Sequence, residues 1–144
     1  MHLRSAAAAL ALLVVTVGQA EARGGAVSTV MAGRSAYGVV LFDGHGKALY
    51  AFTRDPRSRS TCSGACAASW PPYVVSGSLR AGVGTRKALI GTTTRPDGTH
   101  QLTYAGRPVY YYVGDRKPGQ ILCQNVVEFG GRWLVMRANG RLVR

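Results

Sequence analysis

The sequence predicts an all-β protein built from an internal repeat. Two segments, Gly46–Asp55 and Gly106–Asp115, carry a tyrosine, a second aromatic residue and an aspartate at the same spacing. Turn signals of the Asp-Gly and Gly-Gly type recur between short apolar runs, which is typical of antiparallel hairpins. Self-similarity of this kind indicates two copies of one supersecondary unit. We therefore expect an antiparallel, pseudo-two-fold repeat of β-hairpins forming one compact sheet domain over residues 37–144, with copies near residues 38–60 and 88–120.

The N-terminal segment predicts export. His2 and Arg4 precede an apolar run from Ala6 to Val17, and small residues follow it. This is the pattern of a secretory signal peptide over residues 1–22. The apolar run is shorter than the ~20 residues that a membrane-spanning helix needs, and no cysteine ends it. We expect cleavage, a secreted, extracytoplasmic protein in the periplasm or cell-wall space, and no lipid anchor.

The first copy of the repeat follows a loosely patterned segment. Residues 23–36 are small and polar, with no alternation that would bury one face, and are expected to form a loose N-terminal arm or a first edge strand. The run Val39–Phe42 then enters the turn Asp43–Gly46, and Ala48–Phe52 leaves it. An Asp-Gly turn between two apolar runs predicts a β-hairpin.

The second copy repeats this organisation. Ala88–Thr94 enters the turn Arg95–Gly98, and Thr99–Tyr104 leaves it. A further turn at Ala105–Gly106 leads into an expected strand over Pro108–Val113. All of these turns contain glycine, which reaches the positive φ angles that tight turns need.

Two more turns and one helix complete the expected elements. Phe129–Gly131 and Ala138–Gly140 flank a predicted strand at Trp133–Met136. The alanine-rich segment 63–70 predicts the single short helix. That helix must end before Pro71, because a residue that precedes proline avoids helical angles.

The aromatic residues of the motif are expected to pack a core. Tyr50 and Phe52 lie two residues apart and so share one face of a strand, as do Tyr110 and Tyr112. Tyr111 should point the opposite way from its two neighbours, so it is the tyrosine to inspect for exposure.

The two motif aspartates are expected to hold turns. Asp55 and Asp115 fall where each strand ends, ahead of Pro56 and Pro118, and a carboxylate there can accept backbone N–H bonds. A carboxylate pair could act as acid and base, but a turn role is far more frequent for aspartates in this position. For nucleophilic hydrolysis, the sequence has no nucleophile elbow and no triad pattern. We expect a protein that is not an enzyme.

The motifs together resemble a known family. Tyr-x-aromatic-x-x-Asp occurs twice, with Cys62-x-x-x-Cys66, Trp70-Pro71-Pro72 and Phe129–Trp133 beside it. This combination resembles the bacterial secreted-repeat or predicted-lipoprotein family named for the Yx(FWY)xxD motif, over about Tyr37 to Met136. The resemblance implies an exported or lipid-anchored envelope protein of unestablished activity, and it carries over no active site. The expected structural motif residues are Tyr50, Phe52, Asp55, Trp70, Pro71, Pro72, Tyr110, Tyr112, Asp115 and Trp133.

The three cysteines are expected to be oxidised in part. Export favours disulfides, and three thiols leave one unpaired. Cys62 and Cys66, four residues apart, are the first choice of pair, and a bridge from Cys123 to either of them is the rival. In the first case Cys123 is a free thiol, which leaves room for a disulfide-linked dimer.

A metal site is the alternative use of these thiols. Cys62, Cys66 and Cys123 with His45 or His100 would suit copper(I) or zinc. The Cys-x-x-x-Cys spacing is wider than in common zinc sites, and both histidines lie beside Asp-Gly turns. Thioredoxin-like redox chemistry needs Cys-x-x-Cys in a β-α-β unit, which the sequence lacks. We expect no metal and no cofactor, and keep a cysteine-dependent copper- or zinc-binding or redox protein as the alternative function.

The charge predicts an anionic partner. The chain has 18 Lys and Arg against 6 Asp and Glu, a net charge of +12. The basic residues are scattered, and no nucleic-acid recognition motif accompanies them, so we expect no nucleic-acid partner. Anionic cell-wall polymers or a membrane surface are the expected partners. The sequence thus predicts a non-catalytic binding or structural module of the cell envelope.

Overall fold

The structure, a computed structural model, describes residues 25–144, in which strands dominate, and it confirms the all-β prediction. The predicted signal peptide lies outside the described residues. One short helix, α1, spans Ala65–Ser69 within the predicted segment, and a 3-10 turn spans Lys87–Leu89. No helix among residues 25–144 is long and apolar enough to cross a membrane. The strands are β1 (Val27–Ser35), β2 (Gly38–Asp43), β3 (Tyr50–Phe52), β4 (Ser78–Ala81), β5 (Ile90–Thr94), β6 (His100–Tyr104), β7 (Arg107–Tyr110), β8 (Val126–Glu128) and β9 (Gly131–Val135).

The strands form two sheets, where the sequence predicted one. A three-stranded sheet has the order β2-β1-β4, and a six-stranded sheet has the order β5-β6-β7-β3-β9-β8. The larger sheet is antiparallel throughout, as predicted. In the smaller sheet β1 pairs antiparallel with β2 but parallel with β4.

The prediction of a loose arm is wrong for residues 27–35, which form the central strand β1. Val30 in this strand is fully buried. The strand lacks the apolar alternation of a typical buried strand because its small residues allow a side chain of the neighbouring strand β2 to pack closely against it. A Cβ atom on Gly33 would lie 3.0 Å from the Phe42 ring. Small residues here permit close packing, and they remove the pattern by which a buried strand is recognised.

The hairpins of the second copy form as predicted, and the first copy differs. β5 pairs with β6 from Ile90 to Thr94, and β6 pairs with β7. In the first copy the Asp43–Lys47 turn closes, with the Asp43 N–H donating to the Lys47 carbonyl at 2.9 Å. Beyond that turn β2 pairs with β1, whereas β3 runs between β7 and β9. The first copy therefore contributes its motif strand β3 to the larger sheet, whose other strands all belong to the second half of the chain.

Two hairpin turns in the larger sheet require unusual backbone angles. Ala105 and Gly106 have φ values of 49° and 75°, and Phe129 and Gly130 have 54° and 76°. Two successive positive φ angles are the geometry of a type I′ turn, whose twist matches that of the flanking strands.

The motif strand β3 is buried on both faces. Tyr50 and Phe52 lie in an aromatic cluster with Trp70 and Trp133. Ala51 lies on the opposite face, in a mainly aliphatic cluster. The centre of the larger sheet is therefore covered on both sides, and the motif residues are at its middle.

Candidate functional site

The two copies of the motif exchange hydrogen bonds. Tyr50 and Tyr110 are direct cross-strand partners in the antiparallel pair β3–β7. The Tyr50 hydroxyl donates to Asp115 Oδ2 at 2.6 Å, and the Tyr110 hydroxyl donates to Asp55 Oδ2 at 2.6 Å. Both tyrosines are fully buried. Each tyrosine thus binds the aspartate of the other copy, an arrangement we call the Tyr–Asp exchange.

The second oxygen of each aspartate holds the loop that follows it. Asp55 Oδ1 accepts hydrogen bonds from the N–H and the hydroxyl of Thr61, both at 2.7 Å. Asp115 Oδ1 accepts the N–H of Leu122 at 2.9 Å. Each carboxylate therefore joins three parts of the chain: its own strand end, the loop after it and the opposite copy.

The aromatic residues of the motif belong to a cluster of buried, stacked rings. Phe52 stacks on Trp133 with ring centroids 4.2 Å apart, and Trp133 stacks on Trp70 at 4.1 Å. Tyr50 meets Trp70 edge-on at 5.2 Å, and Tyr110 meets Trp133 edge-on at 5.1 Å. Stacked and edge-to-face pairs are the favoured aromatic geometries. The hydroxyl group of each motif tyrosine donates a hydrogen bond in the Tyr–Asp exchange, and its ring packs against a tryptophan of the stack.

The Trp-Pro-Pro corner lies along β7. The Pro71 carbonyl accepts the Tyr111 N–H at 2.8 Å, and Pro72 forms a bridge with Tyr110. β7 therefore ends at Tyr110, short of the predicted Val113. Tyr112 lies beyond the strand, half-buried, with its ring centroid 4.8 Å from that of Trp70.

A family model described as a secreted repeat of unknown function matches residues 32–73 and 91–137. The chain belongs to this family. Neither the curated proteins nor the solved structures compared with the chain gave a match. Membership in a family of secreted repeats indicates an extracytoplasmic protein.

The two matched segments of this secreted repeat each contain one tyrosine and one aspartate of the exchange. Asp55 lies in the first segment with Tyr50, and Asp115 lies in the second half with Tyr110. In this chain each copy completes the hydrogen bonds of the other.

A buried arginine, which the sequence analysis placed in the turn Arg95–Gly98, extends the exchange. Arg95 donates to Ser60 Oγ at 2.8 Å, to Gln101 Oε1 at 2.7 Å and to the Cys62 carbonyl at 2.7 Å. Ser60 Oγ lies 2.7 Å from the Tyr110 hydroxyl, whose proton is given to Asp55. Two hydroxyl groups thus connect a guanidinium to a carboxylate. Arg95 directly precedes the turn sequence Pro96-Asp97-Gly98, and this context indicated a turn residue and not a buried one.

The electrostatics of the exchange keep the tyrosines neutral. Burial raises the pKa of Tyr50 and of Tyr110, and the hydrogen bond to an aspartate carboxylate raises each further. Burial also raises the pKa of Asp55, while hydrogen bonds from Tyr110 and Thr61 and the charge of Arg95 oppose that rise.

Tyr111 is half-buried and engaged. Its hydroxyl donates to Asp43 Oδ2 at 3.0 Å, and its ring contacts the ring of Tyr73 at 5.1 Å. Lys47 Nζ lies 5.6 Å from the ring centroid. Tyr111 therefore supports the Asp43 turn instead of forming an exposed aromatic platform.

The disulfide joins Cys62 and Cys66, as predicted, with Cα atoms 5.3 Å apart. Cys123 is half-buried and has no disulfide partner. Two of the three thiolates of the alternative metal site are thus used in a covalent bond. Among the described residues no three His, Cys, Asp or Glu side chains are grouped as metal ligands would be.

The polar groups of the site satisfy one another. Within the described part of the chain every buried side-chain nitrogen or oxygen has a hydrogen-bond partner. Trp70 Nε1 donates to Glu128 Oε2 at 2.7 Å, and Asp97 accepts the N–H and hydroxyl of Thr99. With Asp43, Asp55 and Asp115, these are all the carboxylate side chains of residues 25–144, and each accepts from neutral donors. The motif site is a structural connection between the repeats, and none of the hydrogen bonds to its two carboxylates comes from a basic side chain.

Proposed function

We propose that this secreted repeat is a non-catalytic module of the cell envelope that binds anionic envelope material through its basic surface. Cell-wall polymers and anionic lipid surfaces are the two sources of such charge. The predicted signal peptide would deliver the chain to this compartment.

One observation carries the proposal: the carboxylates of residues 25–144 accept their hydrogen bonds from neutral donors, and the basic side chains are mostly exposed. All Lys and Arg side chains of residues 25–144 are exposed except Arg95 and Lys47. With a net charge of +12, such a surface attracts polyanions over a distance set by the ionic strength.

The non-catalytic part of the proposal is supported by the state of the motif residues. Asp55 and Asp115 each bind a tyrosine and a backbone N–H, so neither carboxylate has an oxygen free of protein partners. A general acid or base must reach a substrate proton directly or through one water molecule.

The experiment is sedimentation of the exported protein with isolated cell-wall fragments over a series of NaCl concentrations. We expect co-sedimentation at low salt and release as the Debye length shrinks from ~10 Å at 0.1 M to ~3 Å at 1 M. Fragments stripped of their phosphate-bearing polymers serve as the control and should retain less protein. Absence of retention at low salt, or retention that salt does not change, would contradict the proposal.

A further inference from the structure

Five arginine side chains come together beside the Ala105–Gly106 turn. A cavity of about 510 Å³ is lined by Arg107, Arg137, Gly140, Arg141, Leu142 and Arg144. An adjoining cavity of about 180 Å³ is lined by Asp55, Arg57, Ala105, Gly106 and Arg107. Arg107 lines both, so the two cavities are neighbours. We call their basic side chains the arginine strip: Arg57, Arg107, Arg137, Arg141 and Arg144.

The C-terminal turn builds the larger part of the arginine strip. The Arg137 N–H donates to the Arg141 carbonyl at 2.8 Å, and the Gly140 N–H donates to the Arg137 carbonyl at 2.9 Å. Gly140 has a φ of 84°, and a Cβ atom there would lie 2.4 Å from the Cβ of Ala105. The C-terminal turn therefore packs directly on the Ala105–Gly106 turn, and only glycine permits that approach.

The other end of the arginine strip is fixed from the first copy. Arg57 Nη1 donates to the Ala105 carbonyl at 3.3 Å. A Cβ atom on Gly106 would lie 2.6 Å from Arg57 Cζ, so the guanidinium covers this glycine closely. Side chains from both copies and from the C-terminal turn thus meet at one place.

The larger cavity has no acidic side chain to pair with the arginine strip. Its lining contains four arginines and no aspartate or glutamate. Asp55 lines the smaller cavity, but its two oxygens accept hydrogen bonds from Thr61 and Tyr110. Like charges held in one concavity repel each other and concentrate the surrounding field on an incoming anion.

We propose that the arginine strip binds a linear phosphodiester polymer, an inference that rests on the proposed function and assigns its binding site. The planar guanidinium matches a phosphate group with two parallel N–H donors. Two cavities that share Arg107 can hold successive phosphates of one chain. A surface that inserts into a membrane carries exposed apolar or aromatic side chains. Here Leu142 is the one large apolar residue of the lining, and it is half-buried.

The experiment measures binding of the exported protein to fluorescently labelled poly(glycerol phosphate) by anisotropy. The test variant changes Arg107, Arg137 and Arg141 to glutamine. The matched control changes Arg34, Arg80 and Arg86, which are exposed and line neither cavity, and it loses the same charge. We expect the test variant to bind at least about tenfold more weakly and the control less than about threefold. Equal losses, or no binding by the parent protein, would overturn the inference and leave the proposed function standing. That function is contradicted only by the sedimentation experiment described above.

Two further measurements address the chemistry of the ligand. Replacing the same three arginines with lysine keeps the charge but removes the two-point contact, so an intermediate loss is expected, and unchanged affinity would overturn the assignment to guanidinium–phosphate recognition. Inorganic phosphate should compete only at far higher phosphate concentration than the polymer. Equal competition by free phosphate, or equal affinity for phosphatidylglycerol vesicles with the same dependence on the arginine strip, would overturn the polymer assignment.

The variants also need a measure of folding. The three test residues are exposed, so their substitution should leave stability within about 0.5 kcal/mol. Near-ultraviolet circular dichroism of the buried tryptophans reports the fold directly. A test variant that binds weakly but keeps this spectrum supports the inference, and one that binds like the parent protein contradicts it.

Discussion

The motif tyrosines differ from an exposed tyrosine in what their hydroxyl groups contact. Tyr50 is fully buried and donates to Asp115, which is 1% exposed. Removing the hydroxyl leaves a buried carboxylate oxygen without its donor, and the loss of a hydrogen bond to a charged group costs about 1.5–3 kcal/mol. The motif therefore stabilises the protein through the hydroxyl groups of its buried tyrosines.

Tyr50→Phe should lower the free energy of unfolding by about 2 kcal/mol, because the exchange loses one of its two donors. Denaturant unfolding followed by tryptophan fluorescence measures the change. Tyr37→Phe is the matched control, since Tyr37 is 38% exposed, and it should change stability by less than about 0.5 kcal/mol. A loss at Tyr50 no larger than that at Tyr37 would show that the exchange contributes nothing to stability.

The raised tyrosine pKa values predict instability at alkaline pH. Burial raises the pKa of Tyr50, Tyr110 and Tyr111. The unfolded chain loses these protons near pH ~10, while the folded chain retains them. Stability is therefore complete below that pH and falls as pH rises toward the folded pKa values. Tyrosinate absorbance of the buried residues should appear together with the loss of near-ultraviolet circular dichroism, and Tyr110→Phe should make the fall less steep. Full tyrosinate formation in the folded protein near pH ~10 would contradict this.

At the scale of the element, local turn signals predicted some strands and missed others for identifiable reasons. The β5–β6 hairpin follows directly from Pro96-Asp97-Gly98 between two strand-forming runs, and α1 follows from its alanines. Strand β1 was missed although its hairpin partner β2 is adjacent, because small residues such as Gly33 give no apolar signal and its second partner β4 is distant in the sequence. Pairing between distant segments is not encoded in any short window of sequence.

The same limit applies to the candidate site. The sequence predicted a turn role for Asp55 and Asp115 because each stands at a strand end. The pairing of β3 with β7 sets the two tyrosines opposite each other, and each tyrosine donates a hydrogen bond to the aspartate of the other copy. The equal spacing of tyrosine and aspartate in the two copies was the available signal that these residues share a role. The role of Arg95 had no such signal, because a turn sequence gives no indication of burial.

The disulfide is an element of the first copy alone and allows a separate test. It closes a loop with a sequence separation of 4, for which the chain-entropy model gives about 2 kcal/mol of stabilisation. Replacing Cys62 and Cys66 together by serine should lower stability by about that amount, and Cys123→Ser should have a smaller effect. Alkylation with intact mass analysis should find one free thiol in the parent protein. Three alkylated thiols without prior reduction would contradict the disulfide and reopen the metal alternative.

At the scale of the whole molecule, the two halves complete each other. β3 of the first half lies between β7 and β9 of the second half. Trp70 of the first half stacks on Trp133 of the second, and each motif tyrosine finds its aspartate across the same boundary. A half without its partner would expose these rings and leave buried polar groups without partners, both of which oppose folding.

A protease site inserted between the exposed residues Arg86 and Lys87 tests this dependence on the intact protein. After cleavage we expect the two pieces to stay together in native buffer and to keep the near-ultraviolet spectrum of the tryptophan stack. Each piece isolated in denaturant should remain unfolded when the denaturant is removed, and mixing the two should restore the spectrum. The physical reason is that the central contacts of the larger sheet cross the cut, so its stability belongs to the pair. Pieces that separate on gel filtration without denaturant and fold alone would instead make each copy an independent unit. The Tyr–Asp exchange would then be a contact between two independently folded domains. In that case Tyr50→Phe would weaken the association of the two pieces without unfolding either one.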